Sequence, residues 1–162
     1  MSSIISEITY CSGIALVTLP EIQCDSGIIG EILTAIADGG VNVDMISQTA
    51  PRGSEISVSF SVSADSVPQL LPIINAQKVK YPGLKSDISM GMCKINYYDA
   101  NMVHTPGVAG KVLSVLSQFG IHTKMITTAT VDISILIAEH ELNDALSASE
   151  SAFGTLPQEV EF

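Results

Sequence analysis

The stretch SGIIGEILTAIADGGVNVDMI, residues 26–46, recurs as PGVAGKVLSVLSQFGIHTKMI at residues 106–126. The glycines at positions 27, 30 and 40 fall at 107, 110 and 120 in the second copy, and both copies end in Met-Ile. A repeat that keeps register over so many positions indicates an internal duplication, the strongest of sequence cues. We therefore expect two related domains, at 12–90 and 91–162, with function where the copies agree and where they differ.

Hydrophobic periodicity predicts the elements of the first copy. The β-branched run Gly13–Leu19 predicts a strand buried on both faces and closed by Pro20. The apolar residues of Gly27–Asp38 fall at helical spacing before a Gly-Gly stop. The other expected elements are strands at 41–46, 55–62 and 84–90, a turn at 51–53, and a helix from Ser63 that Pro72 kinks.

The second copy repeats this order. Its expected elements are strands at 92–98, 121–127, 131–138 and 158–162 and helices at 107–119 and 139–153. Ile133-Ser134 matches Ile56-Ser57, so the middle turn of this copy is three residues shorter. The order βαββαβ predicts an α+β protein with two ferredoxin-like domains, each an antiparallel sheet with both helices on one face. The piece 4–10 predicts an extra strand.

Composition limits the classes of function. A net charge of −10 disfavours binding to nucleic acid or to anionic membranes, which need clustered Lys and Arg. Three cysteines without metal-ligand spacing, and no signal-peptide pattern, favour a reducing cytoplasm. The apolar runs are too short to span a bilayer. No cofactor or metal site is expected.

Three motifs carry a resemblance to a known family: VNVDMISQ at 41–48, EISVSFSV at 55–62 and PGVA at 106–109. In these motifs the chain resembles the paired ACT domains at the regulatory end of aspartate kinases. The resemblance covers nearly the whole chain. It implies allosteric binding of a small amino acid, of the lysine or threonine class, where ACT domains meet. It also implies that the N-terminal strand 4–10 pairs with the second domain, and that the chain forms a homodimer.

The chemistry of such a ligand fits the sequence. An α-amino acid carries a carboxylate and an ammonium group, and helix N-termini offer unpaired N–H donors to the carboxylate. Glycine at the helix start lets a ligand approach the backbone closely. The predicted effector-binding residues lie at the two helix starts and in the strands that follow: Asp25, Ser26, Gly27, Ile28, Ile29, Asn42, Asp44, Gln48, Gly107, Ala109, His122 and Thr123.

The chain departs from the family pattern at two places. Asp-x-Pro-Gly before the first helix is replaced by Cys24-Asp25-Ser26-Gly27, and Asn-Ile-Glu in the second copy becomes His122-Thr123-Lys124. These changes disfavour lysine as effector at the second half, and His122 can equally be an exposed strand histidine. Asn42, Asp44 and Gln48 have the alternative of a solvated strand face.

The sequence predicts a noncatalytic, amino-acid-sensing regulatory protein, with an aspartate kinase catalytic chain as its partner. Nothing in it resembles an ATP site. Two alternatives stay open. One is a partner-binding ACT module that has lost its effector. The other is a small ferredoxin-like enzyme that uses Asp25, Asp44 or His122 as acid or base, since fold alone does not determine activity.

Overall fold

The computed structural model describes residues 4–24 and 27–162. The strands are β1 (Glu7–Gln23), β2 (Ile46–Gln48), β3 (Glu55–Ser63), β4 (Asp87–Tyr98), β5 (Met125–Thr128), β6 (Asp132–Ala138) and β7 (Gln158–Glu159). The helices are α1 (Ile28–Asp38), α2 (Val67–Lys80), α3 (Val108–Gln118) and α4 (Leu142–Phe153), with short 3-10 turns at Ala64–Ser66, Met102–His104 and Glu139–Glu141.

The chain divides into two compact units. The central unit is Gly13–Met90, and the split unit combines the segment up to Ser12 with Gly91–Phe162. Strands β1 and β4 each contribute to both units, because the division falls within them. The strand order is β2-β3-β1-β4 in the central unit and β1-β4-β6-β5 in the split unit, where β7 also pairs with β1. This order is that of a ferredoxin-like domain and confirms the predicted fold class.

The central unit is held by apolar side chains from one face of its sheet and from the inner sides of α1 and α2. Phe60 of β3 is fully buried there, beside Ile32 and Ile36 of α1 and Leu70 and Ile74 of α2. Burying each such side chain contributes about 1.5–3 kcal/mol. The helices therefore lie on one face of the sheet, as the βαββαβ order predicts.

The split unit has the corresponding core around β4 and β6. Ile5 and Ile8 from the N-terminal segment are fully buried in it. The Tyr97 hydroxyl lies 2.8 Å from Ser149 Oγ, and the Tyr97 and Phe153 rings meet edge to face with centroids 6.0 Å apart. Burial raises the pKa of Tyr97 to about 12, so this hydroxyl is a structural group at ordinary pH.

Strand β1 differs from its prediction in two ways. It continues through Pro20 to Gln23, because the pairing register with β3 shifts between Leu19 and Ile22 and frees this position from the ladder. The predicted burial on both faces is also wrong, since Leu16 and Thr18 are only half-buried. The predicted strands 4–10 and 13–19 are one strand.

The strand predicted at 41–46 is shorter and displaced, with β2 beginning only at Ile46. The reason is local, because Asp44 N–H donates to Ser61 O and Ser61 N–H donates to Met45 O. Asp44 and Met45 therefore both lie opposite the single residue Ser61. Ser61 Oγ also accepts the Met45 N–H, at 3.0 Å. This bulge-like arrangement interrupts the ladder although Val41 and Met45 remain buried.

Other boundaries shift where neighbouring elements merge or shorten. The strands predicted at 84–90 and 92–98 form the single strand β4, and the strand predicted at 158–162 is limited to the two residues of β7. The strand predicted at 121–127 begins only at Met125. Helix α2 contains Pro72 and continues to Lys80. None of the helices in the described ranges combines the length and the apolar character that a membrane crossing requires.

Candidate functional site

The two glycine-led helix starts have the same local geometry. Gly27 precedes α1 with φ of 63° and Gly107 precedes α3 with φ of 91°, a left-handed conformation that favours glycine. Neither helix has a side-chain cap hydrogen bond in the described part of the chain. The first intrahelical bonds are donated by Glu31 and Lys111, so the N–H groups before them point out of the helix end. Both ends are suited to a negatively charged group.

In the central unit, the predicted residues separate into two groups. Gly27, Ile28 and Ile29 begin α1, and the exposed Gln48 lies at the end of β2, opposite Val58 of β3. This end of β3 also meets the end of β1, because Gln23 pairs with Glu55. The structure therefore places Gln48 at the end of the unit where α1 begins.

Asn42 and Asp44 lie toward the other end of α1. They follow its Gly39-Gly40 terminus and are exposed. Because α1 has 11 residues, its two ends are about 16 Å apart at about 1.5 Å per residue. Asn42 is therefore not beside Gly27 within this unit. The predicted Asp25 and Ser26 lie outside the described residues.

In the split unit, Gly107 and the exposed Ala109 lie at the start of α3, and His122 and Thr123 follow its other end. His122 Nδ1 is 2.9 Å from Glu141 Oε1, and the His122 N–H donates to the same oxygen at 3.2 Å. These contacts hold the pKa of the Glu141 carboxyl below its usual value. Glu141 Oε2 is buried and accepts no hydrogen bond from the described residues.

Glu141→Gln is expected to make the free energy of unfolding depend less on pH in the acidic range. A lowered folded-state pKa contributes stability that is present above the ordinary value of 4.5 and is lost as pH falls through the folded pKa. We expect the variant to lose about 1 kcal/mol at neutral pH and the difference to shrink toward pH 3. Urea unfolding at several pH values measures this. Glu150→Gln removes an exposed carboxylate of α4 as the control, and parallel pH profiles for wild type and E141Q would contradict the account.

A shallow groove of about 530 Å³ runs between α1 and α2, with Gly27 and Gly30 at one end. Glu31 accepts from Lys80 Nζ at 2.5 Å and from the Tyr81 hydroxyl. The Lys80 contact contributes most to lowering the pKa of Glu31, and Glu31 in turn raises the pKa values of Lys80 and Tyr81. Glu31 and Lys80 are exposed and Tyr81 is half-buried, so the cluster shapes the surface more than it stabilises the fold. The sequence did not predict it, because the contact depends on how α1 packs on α2.

Thiol and metal chemistry find little support in the described residues. Cys24 is exposed and free, while Cys93 is buried and its pKa is raised to about 12 by burial. A thiol with so high a pKa is not a nucleophile at neutral pH. No group of three or more His, Cys, Asp or Glu that could hold a metal occurs in residues 4–24 and 27–162.

Comparison with known families accounts for the repeat. Two family models, each described as an ACT domain, match residues 23–78 and 95–153, together well over half of the chain. The chain belongs to the ACT domain family. Each match falls mainly on one unit, so the resemblance stated from the sequence motifs is confirmed.

Among curated proteins, the chain is 31% identical over 151 residues to the aspartokinase of Geobacillus stearothermophilus and 27% identical over 150 residues to aspartokinase 2 of Bacillus subtilis. It is covered to 93% in both cases, but it spans only 36% of either relative. These ACT domains thus match about a third of a longer enzyme.

Among solved structures, the regulatory subunit of aspartate kinase from Thermus thermophilus superposes with a TM-score of 0.85 at 26% identity. The match covers 92% of this chain and 98% of that subunit. A structure of aspartokinase alpha and beta subunits matches with a TM-score of 0.83 at 27% identity, covering 93% of this chain and 99% of that chain. The paired ACT domains are therefore of the regulatory kind found with aspartate kinase. The individual effector residues stay predictions.

Proposed function

We propose that these ACT domains are a noncatalytic sensor that binds a small amino acid and regulates an aspartate kinase catalytic chain. The observation that carries the proposal is the near-complete match to the regulatory subunit from Thermus thermophilus, 98% of which is covered. That protein is a regulatory subunit, and this chain contains a matching pair of domains. A homodimer is part of the proposal.

The proposed ligand is an amino acid of the lysine or threonine class, bound where ACT domains meet. Its carboxylate would be received by N–H groups at the start of α1 or α3, where Gly27 and Gly107 leave the backbone open to approach. An added Cβ would meet nothing within 4 Å at either glycine among the described atoms. The ligand then favours one arrangement of the assembly, and the catalytic chain responds through its different affinity for the arrangements.

A thermal-shift screen of the chain against the twenty amino acids tests the proposal. We expect saturable stabilisation by one or two of them, of about 2.7 kcal/mol at a ligand concentration of 100 times Kd. If none of the twenty amino acids stabilises the chain, the sensor function is contradicted and a structural ACT module is favoured. Turnover of an amino acid without any catalytic chain would favour the enzyme alternative.

Matched glycine variants then test the helix start itself. Gly107→Val places a side chain at the start of α3 and is expected to abolish the ligand-induced shift. Gly154→Val is the control, because Gly154 also has positive φ, at 68°, and open space for a Cβ, but it follows α4. The two variants carry similar backbone strain. Equal ligand responses in both would contradict binding at the start of α3.

A further inference from the structure

The hairpin between β2 and β3 is one place where the two copies differ in length. The first copy reads QTAPRGSE from Gln48 to Glu55, and the second reads only TATVD from Thr128 to Asp132. The additional residues bring Arg52, which is the single arginine of the whole sequence. In a chain with a net charge of −10, a guanidinium confined to one copy marks a specific difference between the two units.

The backbone of this hairpin is fixed by reciprocal hydrogen bonds. Arg52 N–H donates to Glu55 O at 2.8 Å and Glu55 N–H donates to Arg52 O at 3.2 Å. Oppositely charged side chains on directly opposed residues ordinarily attract each other. Here the guanidinium forms no ion pair within 4.0 Å with any carboxylate of the described residues. The guanidinium of Arg52 and the carboxylate of Glu55 therefore form no ion pair with each other, although their backbones pair.

A groove of about 260 Å³ opens beside these two charges. Its lining comprises Glu21, Thr49, Arg52, Glu55, Ile56 and Ser57. Two hydrogen bonds link Thr49 and Ser57 in its lining: Thr49 N–H donates to Ser57 O and Ser57 N–H donates to Thr49 Oγ1, each at 2.9 Å. The buried Ile56 provides an apolar floor.

Glu21 also lines the groove and has φ of 55°, the only positive φ found outside glycine in the described ranges. It lies where the β1–β3 register shifts, and such bulges redirect a side chain. Its carboxylate pairs with Lys85. Glu55 accepts a long hydrogen bond from Gln23 Nε2, at 3.4 Å, and, with Glu21 as the larger cause, its charge also helps to raise the pKa of Lys85. Its carboxylate retains capacity to accept further hydrogen bonds.

We propose that this groove binds the zwitterion of a small α-amino acid, with the guanidinium of Arg52 receiving the carboxylate and Glu55 receiving the ammonium. A guanidinium presents a planar pair of donors that matches a carboxylate. A ligand with only a negative charge would face the carboxylate of Glu55, and a ligand with only a positive charge would face Arg52. A zwitterion satisfies both sides. This site is separate from the helix starts and has no counterpart in the split unit, whose hairpin lacks the inserted residues.

Because the sequence has one arginine, NMR can observe the site directly. Protein labelled with ¹⁵N-arginine gives a single side-chain Nε–H signal, that of Arg52. Titration with L-threonine is expected to move this signal in a saturable way. L-threoninamide, which lacks the carboxylate, and 2,3-dihydroxybutyrate, which lacks the ammonium, are expected to bind at least about tenfold more weakly. Equal binding of either analogue, or a signal that L-threonine does not move, would overturn the proposal.

Substitutions provide an independent readout by calorimetry. Arg52→Gln is expected to weaken the threonine affinity of the groove by about tenfold or more, and Arg52→Lys to lose part of it, because lysine keeps the charge without the planar fork. Lys78→Gln removes one positive charge from α2 as the control and should change nothing. If threonine stabilises the chain but does not move the Arg52 signal, the proposal for this groove is overturned and the proposed sensor function is unaffected. A moving Arg52 signal, with stabilisation unaffected by Gly107→Val, would support the groove and exclude the start of α3 as the effector site.

Discussion

Replacing Ile8 by alanine is expected to destabilise the split unit by about 2–5 kcal/mol, the usual cost of truncating a fully buried isoleucine. Ile8 has no exposed surface and packs among Ile95 and Tyr97 of β4. The N-terminal segment is also anchored by hydrogen bonds from Ser6 N–H to Tyr98 O, at 3.0 Å, and from Thr155 Oγ1 to Ile5 O, at 2.6 Å. A residue near the beginning of the chain therefore supports a core that lies more than eighty positions away.

Amide hydrogen exchange measures this loss unit by unit. In Ile8→Ala, protection should fall in β4 and β6 of the split unit, while β3 of the central unit keeps its protection. Glu7→Ala is the control, because Glu7 is exposed on the same strand and its replacement should stay within about 0.5 kcal/mol. Equal losses of protection in both units, or none, would contradict the assignment of this strand to the split core.

The double variant Gly13→Ala with Gly91→Ala is expected to lose about 2–4 kcal/mol. Both glycines lie where a strand passes from one unit to the other, β1 at Gly13 and β4 at Gly91, with φ of 70° and 69°. An L-residue with positive φ costs about 1–2 kcal/mol. An added Cβ would meet no described atom within 4 Å at either position, so the cost comes from the backbone alone.

Denaturant unfolding compared with Gly110→Ala isolates this backbone effect. Gly110 lies inside α3 without positive φ and with open space, so alanine there should stabilise by up to about 1 kcal/mol. Replacing glycine by alanine is thus expected to lower the stability at the positions with positive φ and to raise it at the helical position. A double variant as stable as the wild type would show that the strands pass between the units with ordinary backbone geometry.

The repeat made most of the fold predictable. The predicted bounds of α1, β3 and α3 agree with the structure within one or two residues. The strand predicted at 41–46 was wrong in its bounds, because Val41, Val43 and Met45 give the same apolar pattern whether or not the backbone hydrogen bonds of a sheet are complete. The interruption of the β2–β3 pairing depends on Ser61, a residue of β3 whose hydroxyl accepts a hydrogen bond from the Met45 N–H.

The candidate sites were only partly predictable for a similar reason. A glycine before a helix can be recognised in the sequence, and Gly27 and Gly107 do adopt the conformation that glycine permits. The groove at Arg52 could not be foreseen, because Pro51-Arg52-Gly53 indicates only a turn. Its lining also includes Glu21, which the β1–β3 register and an irregularity in it bring to the hairpin, and no local pattern reveals this.

A crystal structure of this chain grown with saturating L-lysine or L-threonine would test the central claim most directly. The account predicts one of these amino acids with its carboxylate within hydrogen-bonding distance of backbone N–H groups at the start of α1 or α3. Helix starts that remain open to solvent, with no amino acid bound beside Gly27 or Gly107 at saturating ligand, would contradict it.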